Sequence, residues 1–367
     1  MKGVWLAVLG VTLALLVGCQ WFRPEPGPQT FTISSFAWLP GNEGLIVAKD
    51  VAGEQHLWVV GAPRTGPRRL TKGEYAESDP AVSPDGRQIA FVGYTAQANR
   101  FLALYDRTTE DTVKLDLELS GAYPASPVFS PDGRFVALER VYGAADAHSD
   151  VYQDILIYDL REKRARAVLR QGDTNRLLGF SAASDKIFMW STFDGHNHSW
   201  SFRYDLWEVE LATSAARRLS DGGPVHNAAE GYLQPDTSRI VFHTWQAEDI
   251  NLSIVPVPRD IYVAEVKPYT QERVVTGGTA SSPRFSPDGR QIVYLQDFHA
   301  KGMGLDVFVA DSDGKNPRRL TVSGLPKLFP QWSPDGKSIA FVQIEGEGRH
   351  ALYRVQADGK GLRRIAP

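Results

Sequence analysis

The chain has 367 residues, of which 43% are hydrophobic and 23% charged, a formal net charge of −3 and one cysteine. It is long enough to bury a large core, and without a Lys/Arg run or basic tail it carries no sign of a nucleic-acid partner. The single Cys19 excludes a stabilising intrachain disulfide.

Residues 1–19 combine a basic start at Lys2, an apolar run from Val4 to Val17, and small Gly18 just ahead of Cys19. That is the pattern of an export signal. A spanning helix would need about 20 apolar residues, so a membrane anchor, or an ordinary signal with an incidental cysteine, is the weaker reading. Leu16-Val17-Gly18-Cys19 resembles the lipobox of bacterial lipoproteins, which implies that Cys19 becomes a lipid-modified first residue. Residues 20–30 hold Pro24, Pro26 and Pro28 without hydrophobic periodicity, as expected of an extended tether.

Residues 31–367 repeat. Ser-Pro-Asp-Gly stands at Ser83 to Gly86, Ser130 to Gly133, Ser286 to Gly289 and Ser333 to Gly336, each time between two short apolar segments. Proline presets φ at the first corner, the aspartate can accept nearby amides, and glycine tolerates positive φ, so the tetrapeptide suits a hairpin turn. Looser copies are Leu39-Pro40-Gly41-Asn42, Ala183-Ser184-Asp185-Lys186 and Gln234-Pro235-Asp236-Thr237. Taking Asn42 and the turn aspartates as markers gives positions 42, 85, 132, 185, 236, 288 and 335, a period of roughly 43 to 53 residues that suits propeller blades of four strands. The expected fold is all-β, a seven-bladed β-propeller of four-stranded antiparallel blades.

Each unit follows one grammar. In the sixth, strand a covers Pro283 to Phe285, strand b Gln291 to Leu295, strand c Asp306 to Ala310 and strand d Arg318 to Thr321. The alternating strands c, such as HLWVV from His56 and DILIYDL from Asp154, are expected to be buried mainly on one face or at an edge. The Arg pairs of RRLT at Arg68, RRLS at Arg217 and RRLT at Arg318 are expected to guard the outer edge. Closure of the ring is open at this stage: residues 31–34 could add a strand to the last blade, where residues 362–365 already supply one.

WSPDGKSIAFV followed by VFVADSDGKNPRRLT resembles the repeat of the TolB-type propellers, also called PD40 or WD40-like repeats. The resemblance covers nearly all of residues 31–367 and implies the fold more than the function. The family's eponymous branch carries an α/β domain before six blades, whereas this sequence has a tether before seven. It is expected to be a stand-alone lipoprotein of the family, lipid-anchored in the cell envelope on the periplasmic or outer face of the membrane.

The a-b turns use up the Pro-Asp-Gly reversal, so function is expected on the opposite, b-c/d-a face. Its longest b-c loops run from Glu139 to Val151, Ser191 to Ser201, Thr244 to Arg259 and Gln296 to Leu305, in blades three to six. With the residues beside them they supply the ligand-binding candidates Tyr142, His148, Phe193, His196, His198, Trp200, His226, His243, Trp245, Phe298 and His299. Aromatic and polar side chains on loops over a rigid scaffold commonly form binding sites.

No G-x-S-x-G elbow is present, Gly277-Gly278 lacks the strand-to-helix setting of a phosphate loop, and no nucleophile is identifiable. The expectation is a monomeric, non-enzymatic module without cofactor that binds an envelope protein, peptide or glycan and meets the membrane only through its lipid. The alternative is a metal-assisted polysaccharide lyase or glycoside hydrolase resembling oligogalacturonate lyase. It would require His196 and His198 to converge on a metal ion with histidines of other blades.

Overall fold

The computed structural model describes residues 32–142, 152–169, 175–191, 203–220, 225–245, 259–297 and 304–366, apart from residues 52, 63–65, 98, 120, 227, 237, 278 and 347. The expectations for the export signal, Cys19 and the tether lie outside these residues.

Seven antiparallel sheets follow one another along the chain, each assembled from consecutive strands. The innermost strands, a, are Ile33–Trp38, Ala76–Val82, Tyr123–Phe129, Asn175–Phe180, Ala228–Leu233, Ala280–Phe285 and Lys327–Trp332. The fourth blade, the least regular in sequence, is complete. Asn175–Phe180, Lys186–Ser191, Arg203–Glu210 and Ala216–Arg218 form its four strands, and Val225–His226 adds a short fifth beside Arg203–Glu210. The outermost strand is only two residues long at Arg68–Arg69 and Arg318–Arg319, but seven in blade five at Tyr269–Val275.

The hairpin turns form a bracket centred on serine. In the second blade the Ser83 hydroxyl donates to Asp85 Oδ1 at 2.6 Å and accepts the Gln88 amide at 2.8 Å, and Asp85 Oδ1 accepts the Arg87 amide at 3.0 Å. The other three Ser-Pro-Asp-Gly copies repeat these bonds, with glycine φ of 72°, 70°, 69° and 68°. The serine hydroxyl first, and then the backbone amide, hold the four aspartates below the usual carboxylate range against a burial penalty that is the largest single influence at Asp132 and Asp335.

Two looser copies are out of step with the sequence alignment. The amide of Leu39 bonds Gly44 O and that of Ser181 bonds Lys186 O, both at 2.9 Å, as the amide of Ser83 bonds Gln88 O. Asn42 and Ser184, each with φ 60°, therefore take the glycine place, and Asp185 stands two positions after the place of the turn aspartate. Backbone closure from the first turn residue to the sixth sets the register, not the position of the acid.

Among the described residues the core consists of seven apolar clusters, each joining two neighbouring blades. In strand b of blade one, Leu45–Val51, Leu45 and Val47 face blade seven while Ile46 and Ala48 face blade two. Strands c are likewise sandwiched: Leu57 and Val59 pack toward blade two, Val60 and Trp58 toward blade seven. The expected one-sided burial is thus corrected, because blades stacked face to face leave neither side of an inner strand to water.

Ile33–Trp38 is the innermost strand of blade one, and Arg363–Ala366 the outermost of blade seven. Among the described residues no strand crosses between them. The ring closes through side chains: Ile33, Phe36, Leu45 and Val47 against Ala340, Val342, Leu352 and Ala366, with Gln331 Nε2 donating to Phe36 O at 3.1 Å.

Candidate functional site

Four innermost strands contain a residue of positive φ directly before proline: Asp79 before Pro80, Ser126 before Pro127 and Ser282 before Pro283, each at 50°, and Phe329 before Pro330 at 55°. Pairing with strand b slips at each of them. Proline has no N–H for the ladder, and a bulge absorbs the lost bond while re-aiming the side chain in front of it. Phe329 is left 38% exposed on an innermost strand, unusual for so large an apolar group.

On the b-c/d-a side of blades one to four, these strand ends bring together charged and aromatic groups. The Asp79 amide donates to Ser35 Oγ of blade one at 3.0 Å, and the Ser78 hydroxyl lies 3.1 Å from Asp79 Oδ2 and 2.7 Å from the Tyr94 hydroxyl. Burial raises the Asp79 carboxyl, against the pull of Ser78 and Arg100. Arg100, the cross-strand partner of Tyr94, contacts two rings, its guanidinium carbon 4.9 Å from the centre of Tyr94 and 4.0 Å from that of Tyr123. In blade three, Glu139 Oε1 accepts the amide of Leu177 from blade four at 3.0 Å. Burial pushes the Glu139 carboxyl up to about 7, with the Leu177 amide and Arg176 opposing and Asp79 adding to the rise. Arg176 in turn lies 5.9 Å from the ring of Tyr204.

A second set of acids on the same side is structural. Asp154, Asp205, Asp260 and Asp306 occupy strands c and are all buried. Arg140 meets Asp154 at 2.8 Å, Arg218 meets Asp205 at 2.8 Å, Arg273 meets Asp260 at 3.3 Å and Arg319 meets Asp306 at 3.0 Å. Ser220 and Thr321, the last residues of the RRLS and RRLT segments, donate to Asp205 and Asp306 at 2.6 and 2.7 Å. In two of those segments the second arginine therefore anchors strand c, a role beyond edge protection.

Among the sequence-derived candidates, Tyr142 ends strand b of blade three, and its hydroxyl donates to Asp154 Oδ2 at 3.3 Å. His243, only 3% exposed, lies in strand b of blade five, which Trp245 ends in register with Arg259. His226 pairs with Arg203 in blade four. These four are distributed over three blades. His148, Phe193, His196, His198, Trp200, Phe298 and His299 lie outside the described residues. Among the described residues, no three His, Cys, Asp or Glu are grouped to hold a metal ion, and no helix is long and apolar enough to cross a membrane.

Sequence reasoning missed Asp79, Tyr94, Arg100, Tyr123, Glu139 and Arg176. The visible signal was the Xaa-Pro pair three residues ahead of each tight turn, at Asp79-Pro80, Ser126-Pro127, Ser282-Pro283 and Phe329-Pro330.

No protein-family model matches the chain. A stretch of 45 residues, 12% of the chain, is 56% identical to the Tol-Pal system protein TolB of Coxiella burnetii, and 76 residues, 20% of the chain, are 44% identical to TolB of Xylella fastidiosa. The chain is a seven-bladed propeller with stretches similar to TolB. The matched stretches span only 10% and 17% of those relatives' own length. Solved structures share the fold: TolB from Acinetobacter baumannii (TM-score 0.50, 16% identity, 79% of this chain and 62% of that one) and an oligogalacturonate lyase from Vibrio parahaemolyticus (0.65, 14%, 86% and 87%). A prolyl endopeptidase aligns at TM-score 0.66 with 17% identity, over 92% of this chain and 50% of that one. At such identities these structures speak for the propeller fold and for nothing beyond it.

Proposed function

We propose that this TolB-type propeller is a lipid-anchored, non-enzymatic binding module of the cell envelope that engages a protein partner through its b-c/d-a face. The observation that carries the reading is the contrast between its two faces. One is formed largely of bracketed serine–aspartate turns whose polar groups already bond one another. The other gathers the bulged strand ends, the half-buried tyrosines and arginines, and exposed apolar residues such as Val322 (77%) and Leu325 (38%). The turn face does carry a groove of about 430 Å³ between blades five and six, but Arg239 in its lining already donates to Gln234, Ser312 and the Gly289 carbonyl. Relatives named as Tol-Pal system proteins support a protein partner.

A photo-crosslinking side chain at Val322 should capture a discrete protein in intact cells, whereas one at Asp313 in a c-d turn of the opposite face should not. Capture confined to Asp313 would overturn the assignment of the face. The anchor is tested separately: Cys19→Ser is expected to abolish fatty-acid labelling and free the protein from the membrane fraction, and continued labelling would contradict it.

A further inference from the structure

We propose that Tyr94, Arg100 and Tyr123 form an anion-recognition point that takes a single carboxylate, an Asp or Glu side chain or a chain terminus, of the bound partner. The inference rests on the b-c/d-a face being the partner surface.

The Arg100 guanidinium carbon lies over both rings, a cation–π contact that does not consume its N–H donors. Among the described residues the Arg100 side chain makes no hydrogen bond and no ion pair, in contrast to Arg140, Arg218, Arg273 and Arg319, each of which meets a strand-c aspartate. Half-buried and in contact with two rings, it has already given up rotamer freedom, so binding an anion costs less further ordering. Tyr94 is itself fixed through its hydroxyl to Ser78.

The chemistry of the surroundings selects the anion. Asp79 is close enough to interact electrostatically with Arg100 without forming an ion pair, and Glu139 interacts in turn with Asp79. A planar carboxylate matches the guanidinium fork in a bidentate pair, and whatever negative charge Asp79 and Glu139 carry repels a dianion such as phosphate more than a monoanion.

The test uses the full chain and two probes, N-acetyl-Gly-Glu-Gly-amide and N-acetyl-Gly-Gln-Gly-amide, followed by ligand-observed NMR. The glutamate peptide is expected to bind at least about fivefold more tightly than the glutamine peptide, and Arg100→Gln to remove that preference. Arg100→Lys keeps the charge but loses the planar fork and should weaken binding at least about threefold, which guards against a merely structural effect of the glutamine variant. Equal binding of the two peptides, or an unchanged preference in folded Arg100→Gln, would overturn the inference, as would inorganic phosphate competing on a par with the glutamate peptide. Such a failure with crosslinking at Val322 intact rejects the carboxylate alone. Capture confined to Asp313 rejects the face itself.

Discussion

Replacing Asp306 by alanine is expected to destabilise the propeller by about 3–5 kcal/mol, the typical effect of stranding a buried charge. Asp306 and Lys327 are both fully buried, and their side chains meet at 2.8 Å across the junction of blades six and seven. The Lys327 ammonium also donates to Leu325 O at 2.8 Å and Ser323 Oγ at 2.9 Å. Burial lowers the lysine's pKa, and Asp306 opposes that. For Asp306 itself burial acts upward, but the hydrogen bonds from Lys327, Thr321 and Arg319 prevail and hold the carboxyl below its ordinary range. Alanine would remove the acceptor for all three donors. Urea midpoints should show the loss, and the double replacement Asp306→Leu with Lys327→Met should recover most of it, because an apolar pair of similar volume has no charge to desolvate. A loss below about 1 kcal/mol for the single variant would mean that the pair is solvated in solution.

Glu77→Gln is expected to act in the opposite direction and to depend on pH. At the junction of blades one and two the charges are exchanged: His56 stands where Asp306 stands in blade six, and Glu77 where Lys327 stands in blade seven. Glu77 is fully buried. Its Oε2 accepts the Leu57 amide at 2.9 Å and the Thr71 hydroxyl, while Oε1 has no partner and His56 Nδ1 lies 3.8 Å from Oε2. Burial pushes its carboxyl from 4.5 up to about 7, against Thr71, the Leu57 amide and Arg69.

A carboxyl raised in the folded state binds its proton more tightly there than in the unfolded chain. Its contribution is therefore complete below about pH 4.5 and is lost as pH rises through about 7, a swing on the order of 3 kcal/mol. Glutamine carries no charge, and its amide can donate toward His56, whose own pKa is lowered first by burial and then by Arg69. The variant should gain on the wild type progressively between pH 5 and pH 8. Urea midpoints whose difference stays constant over that range would refute the titration.

The repeat was legible because a tight turn is a local event. Four residues fix the Ser-Pro-Asp-Gly reversal, and its copies can be counted without knowing what packs where. The two out-of-step copies show the limit of that method, since Asn42 and Ser184 replace glycine by adopting its φ, which leaves no trace in residue type. The strand-c aspartates were visible, but their arginines come from strand d in three blades and from strand b at Arg140, so no fixed spacing announces the pairs. Harder still was the cluster around Arg100. Ser35, Asp79, Tyr123, Glu139 and Arg176 belong to four blades and meet through the curvature of the ring. Loop length and aromatic content drew attention to blades three to six instead, where His243 proves to be a core residue.

Among the described residues no strand is interleaved at the junction of the first and last blades, and the consequence reaches beyond mechanics. Each blade is one unbroken stretch of chain, and each has the same two kinds of neighbour contact, whichever blades flank it. In-frame duplication of such a stretch delivers a complete sheet together with both of its packing faces, and excision removes one just as cleanly. A ring fastened by exchanging a strand between its ends would instead tie the termini to one fixed blade number. Here a change in circumference asks only that the two end faces still fit, so the gene can lengthen or shorten by whole blades while the partner-facing strand ends of the remaining blades stay as they were.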